Sequence, residues 1–255
     1  MCHWFFRARF LLLCFRLNNK MKITICTGAW KRPNLLDFFC RYYADLQKKF
    51  PFELVVACSE KEAMSICQAH GHTCFMVVNE PLHRKFNAAV QAAKGSDYVI
   101  NIGSDDFLTE DFLRHYDGLF REGHDYITTL DWYFFDTKTK KGLYWKGYDK
   151  PHNTGKGCGA GRALSKHLLE EMNWKPWAAG YDKVLDTGMQ VKLDAIPHKA
   201  HSFRLRDLGL FALDIKTEEN MTPFDRWDNT TLFDGREMLD AYVPEYTAEI
   251  LKLKA

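Results

Sequence analysis

The chain has 255 residues, of which 46% are hydrophobic and 27% charged, with a formal net charge of +2. That length holds one large α/β domain, or one domain with an extension, and the composition is that of an ordinary globular protein. The balanced charge gives no support to a nucleic-acid or membrane partner, and eight cysteines without a Cys-x-x-Cys pair argue for free buried thiols in a reducing cytoplasm rather than a disulfide framework or a zinc site.

Residues 1–20 stand apart from the rest. They are apolar and basic, too short and too interrupted by Arg7, Arg9 and Arg16 to span a membrane, and no small-residue cleavage site follows. The expectation is that translation begins at Met21; the alternative is an interfacial anchor built on those arginines. A strand is predicted over 23–27. The loop Gly28-Ala29-Trp30-Lys31-Arg32-Pro33 then opens a helix whose apolar positions run from Leu35 to Leu46 at helical spacing. A strand over 52–58, a helix over 60–70, a strand over 74–78 and a helix over 82–94 follow, and a fourth strand occupies 98–102. Strands alternating with helices in this way predict a mostly parallel central sheet covered by helices on both faces. Neither a dinucleotide fingerprint nor a P-loop occurs.

After a helix over 110–121 the pattern changes. The stretches 126–130, 132–135 and 143–145 read as short antiparallel strands with lysine-rich turns, a small extension beside the main sheet. Gly155 to Gly161 carries four glycines and leads into Arg162; helices are predicted over 164–172 and 180–193, strands over 196–205 and 210–215, and a last helix over 246–253. The division expected is a leader over 1–20, a domain over 21–215 with halves at 21–110 and 111–215, and a C-terminal extension over 216–255 that packs on the domain.

The fourth strand organises the chain. Val99, Ile100 and Ile102 run into Gly103, and Asp105 and Asp106 sit at the strand's carboxyl end, where open α/β sheets bind ligands. Adjacent carboxylates there repel unless a cation or a positive ligand neutralises them. The plainer alternative is that Asp105 or Thr109 simply caps the following helix.

These residues resemble a family 2 glycosyltransferase of the GT-A fold. The resemblance rests on Asn79-Glu80-Pro81-Leu82, on Lys85-Phe86-Asn87, and on Ala93-Lys94-Gly95-Ser96-Asp97-Tyr98 leading into the strand. It implies that Gly103-Ser104-Asp105 occupies the family's DxD slot, with Gly103 where the family has its first aspartate. Asp105 would then hold Mn²⁺ or Mg²⁺ with help from Asp106, and His201, near His198, would supply a later ligand. The resemblance also implies that Thr27, Gly28, Trp30 and Arg32 hold the base and ribose of a nucleotide-diphosphate sugar. Ser59 or Glu60 stands where the family has its base-binding aspartate, and Lys85, Asn87, Ser104 and Arg162 lie on the donor side. Lys85 as an exposed helix residue is the alternative. Asp186, or else Asp182, takes the place of the general base of an inverting enzyme, and Trp174, Trp177 and Tyr181 flank the acceptor or belong to the core. The acceptor expected is a hydroxyl on a glycan or another biopolymer, modified DNA included, and the location is cytoplasmic, without stable membrane insertion. A sugar nucleotidyltransferase and a non-catalytic nucleotide-sugar-binding protein are the rivals.

Overall fold

The computed structural model describes residues 21–151, 153–180, 185–220 and 222–254; the leader, Tyr181 and Asp182 lie outside the described residues. Seven strands form the main sheet in the order β10-β6-β9-β4-β1-β2-β3. Within it β1 (Ile23–Ala29) is flanked in parallel by β2 (Glu53–Cys58) and by the central strand β4 (Tyr98–Asn101), with β3 (Thr73–Met76) parallel at one edge. Alternation along each strand sends side chains to two cores. Ile25, Leu54, Val56 and Ile100 pack with α1 (Pro33–Lys49), while Cys26, Val55, Ala57 and Val99 pack with α3 (Leu82–Ala92). Between them in the chain, α2 (Lys61–Ala69) packs on α1 and β3 and ends before Gly71, which holds a φ of 77°. The helix-covered, mostly parallel sheet expected from the alternation is therefore present.

The helix α1 shows why the register is unambiguous. Pro33 starts it, Lys48 and Lys49 complement its C-terminal dipole, and its apolar stripe drives Phe38, Phe39, Tyr42 and Tyr43 against Phe107. Tyr42 and Tyr43 hydroxyls donate to the carbonyls of Leu108 and Asp106, which ties the helix to the segment that follows β4.

That segment turns at Gly103 and becomes β5 (Asp106–Leu108), an edge strand of a second, five-stranded sheet ordered β12-β8-β7-β11-β5. Thr109, rather than Asp105, caps the next helix, α4 (Glu110–Arg121), by accepting from the Phe112 amide. The second sheet contains β7 (Trp132–Asp136), β8 (Lys141–Trp145), β11 (Ala212–Lys216) and β12 (Thr230–Asp234), all antiparallel to their neighbours except for the parallel pair β7–β11. Three expectations need correction. The stretch around 126–130 is β6 (Tyr126–Thr129) and belongs to the main sheet, parallel to β10 (Ala200–Phe203). The helix expected from 164 begins later, because β9 (Arg162–Ser165) inserts antiparallel between β4 and β6 and Ser165 caps α5 (Lys166–Glu171). The tail supplies β12 to the second sheet and then α7 (Gly235–Tyr242) and α8 (Pro244–Ile250), where only one helix was expected; Gly142 leaves room for Met238 of α7.

Cys26, Cys40, Cys58, Cys67 and Cys158 are buried free thiols and Cys74 is a half-buried one, as the spacing predicted; Cys2 and Cys14 lie outside the described residues. Among the described residues no helix is long and apolar enough to cross a membrane.

Candidate active site

The two sheets meet just past β4, and the pairing there sets the chemistry. Asp106 stands opposite Asp214 in the antiparallel β5–β11 register, and the Ile215 amide donates to the Asp105 carbonyl. Like charges placed opposite each other on paired strands are destabilising. Three carboxylates are thereby forced together: one ligand oxygen from each of Asp105, Asp106 and Asp214 lies within 4.8 Å of the others.

Each aspartate has one oxygen held by the protein. Asp105 Oδ2 accepts from Arg32 Nη1 at 2.9 Å and from Asn220 Nδ2 at 2.5 Å, Asp106 Oδ2 from the Gly103 amide at 2.6 Å, and Asp214 Oδ2 from Lys216 Nζ at 2.5 Å. The other oxygens of Asp106 and Asp214 are buried without a hydrogen-bond partner. A buried, unpaired carboxylate oxygen is costly, and a hard cation takes such oxygens as ligands. The donor set therefore fits Mg²⁺ or Mn²⁺, with Asp105, Asp106 and Asp214 as ligands. Gly103 fits the same geometry: a Cβ there would collide with Asp105 Oδ1 and stand 3.0 Å from Asp106 Oδ2, so a side chain at 103 would have to displace these two carboxylates.

The electrostatics divide the three carboxyls. Burial would raise Asp105, but Arg32 and Lys216 outweigh it and hold that carboxyl below its usual value. Burial, with Asp214 and Asp105 adding repulsion, drives Asp106 well above the carboxylate range. Burial also pushes Asp214 up to about 7, against the pull of Lys216. Lys216 itself is buried, yet Asp214 and Asp105 keep it charged, and Phe134 and Trp227 box its ammonium at 5.1 Å and 5.8 Å from their ring centroids.

Arg32 reaches the cluster from the loop after β1. Lys31 and Arg32 both adopt left-handed backbone, with φ of 56° and 54°, a conformation disfavoured for side chains of this size. The Lys31 amide is pinned by Glu60 Oε2 at 2.7 Å, and Arg32 also donates to Ser104 Oγ at 3.1 Å. Trp30 is 41% exposed beside them, with the Lys31 ammonium over its ring. A cleft of about 300 Å³ opens here between Lys31, Arg32, Glu60 and Glu219. Thr27 lies just before the loop, buried with its hydroxyl unpartnered, and Ser59 Oγ stands 3.5 Å from Asn79 Oδ1.

Lys85 is no exposed helix residue. It is 1% exposed, crosses beneath Gly28, and donates to the Ala29 carbonyl at 2.7 Å and Asn79 Oδ1 at 3.0 Å; burial lowers its amine to about 8. A Cβ at Gly28 would lie 2.9 Å from Lys85 Cε, so the glycine makes room for the lysine. Lys85 thus shapes the loop after β1 from below.

Other expected residues are placed elsewhere. Asn87 brackets the Trp177 backbone, accepting from its amide at 3.1 Å and donating to its carbonyl at 2.8 Å. Trp174 and Trp177 are buried in the core, so they offer no stacking platform. Arg162 is tied to the carbonyls of Cys158 and Gly157 at 2.8 Å and 3.1 Å, and its charge partner is Asp186 at 3.5 Å rather than any of the three aspartates. Asp186 opens α6 (Leu185–Asp194), is half exposed, and lies over Gly159, where a Cβ would meet its Oδ2 at 2.6 Å. His201 does not join the aspartates. It sits on β10 at the sheet edge with its ring 4.8 Å from His124, and the third carboxylate of the cluster comes from Asp214 instead. His198 bonds locally to the Ile196 carbonyl. Asp214, Lys216 and Asn220 went unnoticed in the sequence; the one available signal was the alternation Leu213-Asp214-Ile215-Lys216, which puts two charges on one face of a predicted strand.

No protein-family model matches the sequence, and no curated protein matches it. Solved structures do match. The crystal structure of glucosyl-3-phosphoglycerate synthase from Mycobacterium tuberculosis, in complex with Mg²⁺ and uridine-diphosphate, gives a TM-score of 0.51 at 13% identity over 80% of this chain and 73% of that one. A mycobacterial protein gives 0.50 at 14% identity, over 76% of this chain and 65% of its own. At these identities the likeness is one of fold, and the chain has the GT-A-like architecture that the sequence resemblance implies.

Proposed function

We propose that this protein transfers a sugar from a nucleotide-diphosphate sugar to a hydroxyl acceptor. The observation that carries the reading is the cluster of Asp105, Asp106 and Asp214 at the carboxyl end of the central parallel strands, with buried oxygens left over for a cation. The structurally similar glucosyl-3-phosphoglycerate synthase was crystallised with Mg²⁺ and UDP, which supports a nucleotide diphosphate as the ligand class.

On this reading the cleft beside Lys31 and Glu60 takes the nucleoside, with Trp30 and Thr27 bordering the same loop. Arg32, already fixed against Asp105 and Ser104, presents positive charge where the diphosphate arrives. The three aspartates would hold Mg²⁺ or Mn²⁺, which when bound supplies Lewis-acid neutralisation of the leaving diphosphate. Asp186 is the base for the acceptor hydroxyl. Its exposure keeps it available to substrate, and Arg162, itself fixed by two carbonyls, orients it. Asp182, the other expected base, lies outside the described residues.

A thermal-shift panel of UDP-, GDP-, CMP- and TDP-sugars, with and without Mn²⁺, tests this on the wild type and Asp105→Ala. A ligand at a hundredfold its Kd stabilises by about 2.7 kcal/mol. A shift with one donor that disappears in Asp105→Ala is the expected result. A folded protein that responds to none of them refutes the donor-site assignment.

A further inference from the structure

The carboxylate cluster already carries a cation of its own. Lys216 Nζ lies 2.5 Å from Asp214 Oδ2, the residue is 5% exposed, and its ammonium also acts on Asp105 and Asp106. Its ammonium also lies over the ring faces of Phe134 and Trp227, at 5.1 Å and 5.8 Å from their centroids, which stabilise a cation. With Arg32 on Asp105, two protein cations face three carboxylates.

We propose that Lys216 is the resident counter-cation of this cluster and competes with a divalent ion for it. The inference rests on the cation-binding reading given above. A divalent ion on the free oxygens would stand roughly 5 Å from the Lys216 ammonium, about one carboxylate away. Removing that charge should tighten ion binding about fifteenfold even with the dielectric of bulk water, and more than a thousandfold at the effective dielectric of about 20 that fits protein sites. The opposing effect is loss of the hydrogen bond that orients Asp214, and second-sphere partners of this kind contribute roughly 10–100-fold to metal affinity. At the protein-site dielectric the charge effect outweighs the lost hydrogen bond even at its largest, and the net effect is at least a tenfold tightening. The aspartates can then stay folded together without a divalent ion, which exchanges onto a site the protein keeps neutralised.

The test is Mn²⁺ titration of the full chain, with free Mn²⁺ read by electron paramagnetic resonance, for the wild type, Lys216→Met, Lys216→Gln and Lys216→Arg. The expected result is at least tenfold tighter binding in the two neutral variants and affinity within about threefold of wild type in Lys216→Arg. Neutral variants that bind no tighter, or more weakly, overturn the proposal, because Lys216 would then act only by orienting Asp214. A neutral variant that folds only when Mn²⁺ is added supports it, since the ion replaces the lost ammonium; one that stays unfolded in Mn²⁺ counts against it. Absence of Mn²⁺ binding in every variant also overturns it. A metal-free thermal shift with a nucleotide sugar, run alongside, separates the two ideas: if the Mn²⁺ titrations go against the competition while that shift persists, the competition is refuted and the transferase reading stands.

Discussion

Replacing Asp214 by asparagine should change how stability depends on pH more than it changes stability itself. Asparagine keeps an oxygen that accepts from Lys216 but removes one of three crowded carboxylates. Burial pushes the Asp214 carboxyl up to about 7 from an ordinary 3.8. A group raised on folding contributes stability that is fully present below its unfolded value and is lost as pH rises through its folded value. At pH 5 most of that contribution remains, and at pH 8 it is gone. At about 1.4 kcal/mol per unit, the wild type should lose roughly 2–3 kcal/mol between pH 5 and pH 8 through this one group. Asp106, raised by burial and next by Asp214, changes in the same direction. Asp214→Asn lacks this loss, so its stability relative to wild type should rise by that amount on going from pH 5 to pH 8. In a domain of this size that is a differential Tm shift of about 5–10 °C. Circular-dichroism melts of both proteins at the two pH values, in chelator, measure it. An offset between variant and wild type that is the same at both pH values would refute the argument that the cluster stores charge repulsion.

Gly28→Ala should cost about 1–3 kcal/mol in urea unfolding, because the new Cβ meets a Lys85 side chain that two hydrogen bonds hold in place. Asn87→Ala should cost about 2 kcal/mol through two lost hydrogen bonds to Trp177, with nucleotide-sugar thermal shifts unchanged. Arg32→Gly relieves a left-handed residue but leaves Asp105 without the charge that offsets its burial, so it should cost about 2–4 kcal/mol in urea unfolding and abolish the nucleotide-sugar shift. Asp186→Asn should keep the donor shift while release of nucleoside diphosphate falls by about 100-fold or more, the effect of losing a general base.

The fold of residues 21–110 was legible because its signals are local. Helical spacing from Leu35 to Leu46, the glycines at 71 and 95, and the apolar run at 98–102 each act within a few residues, and each element stands where its pattern put it. Asp105 was legible for the same reason, since a strand that ends in carboxylates declares itself. What was not legible depends on partners distant in the chain. Asn87 and Lys85 share one helix and one polar character, but one turns to Trp177 and the other lies beneath Gly28. Composition cannot separate these fates, because the difference lies in which loop packs over each residue.

Asp214 and Lys216 show this most sharply. On a strand of alternating apolar and charged residues the charged face is ordinarily the wet one, and Leu213-Asp214-Ile215-Lys216 follows that pattern fully. What inverts it is the pairing of β11 with β5, which sets Asp214 against Asp106, and the aromatic pair Phe134 and Trp227, which encloses Lys216. The same four residues on a solvated hairpin would be a screened ion pair of little consequence. Enclosed, they become a charge balance in which every added or removed cation is felt by three aspartates at once. At the turn, the Gly103 amide donates to Asp106 Oδ2, and Asp105 and Asp106 fold back over the glycine Cα, so the third carboxylate of the cluster comes from across the sheet, on Asp214.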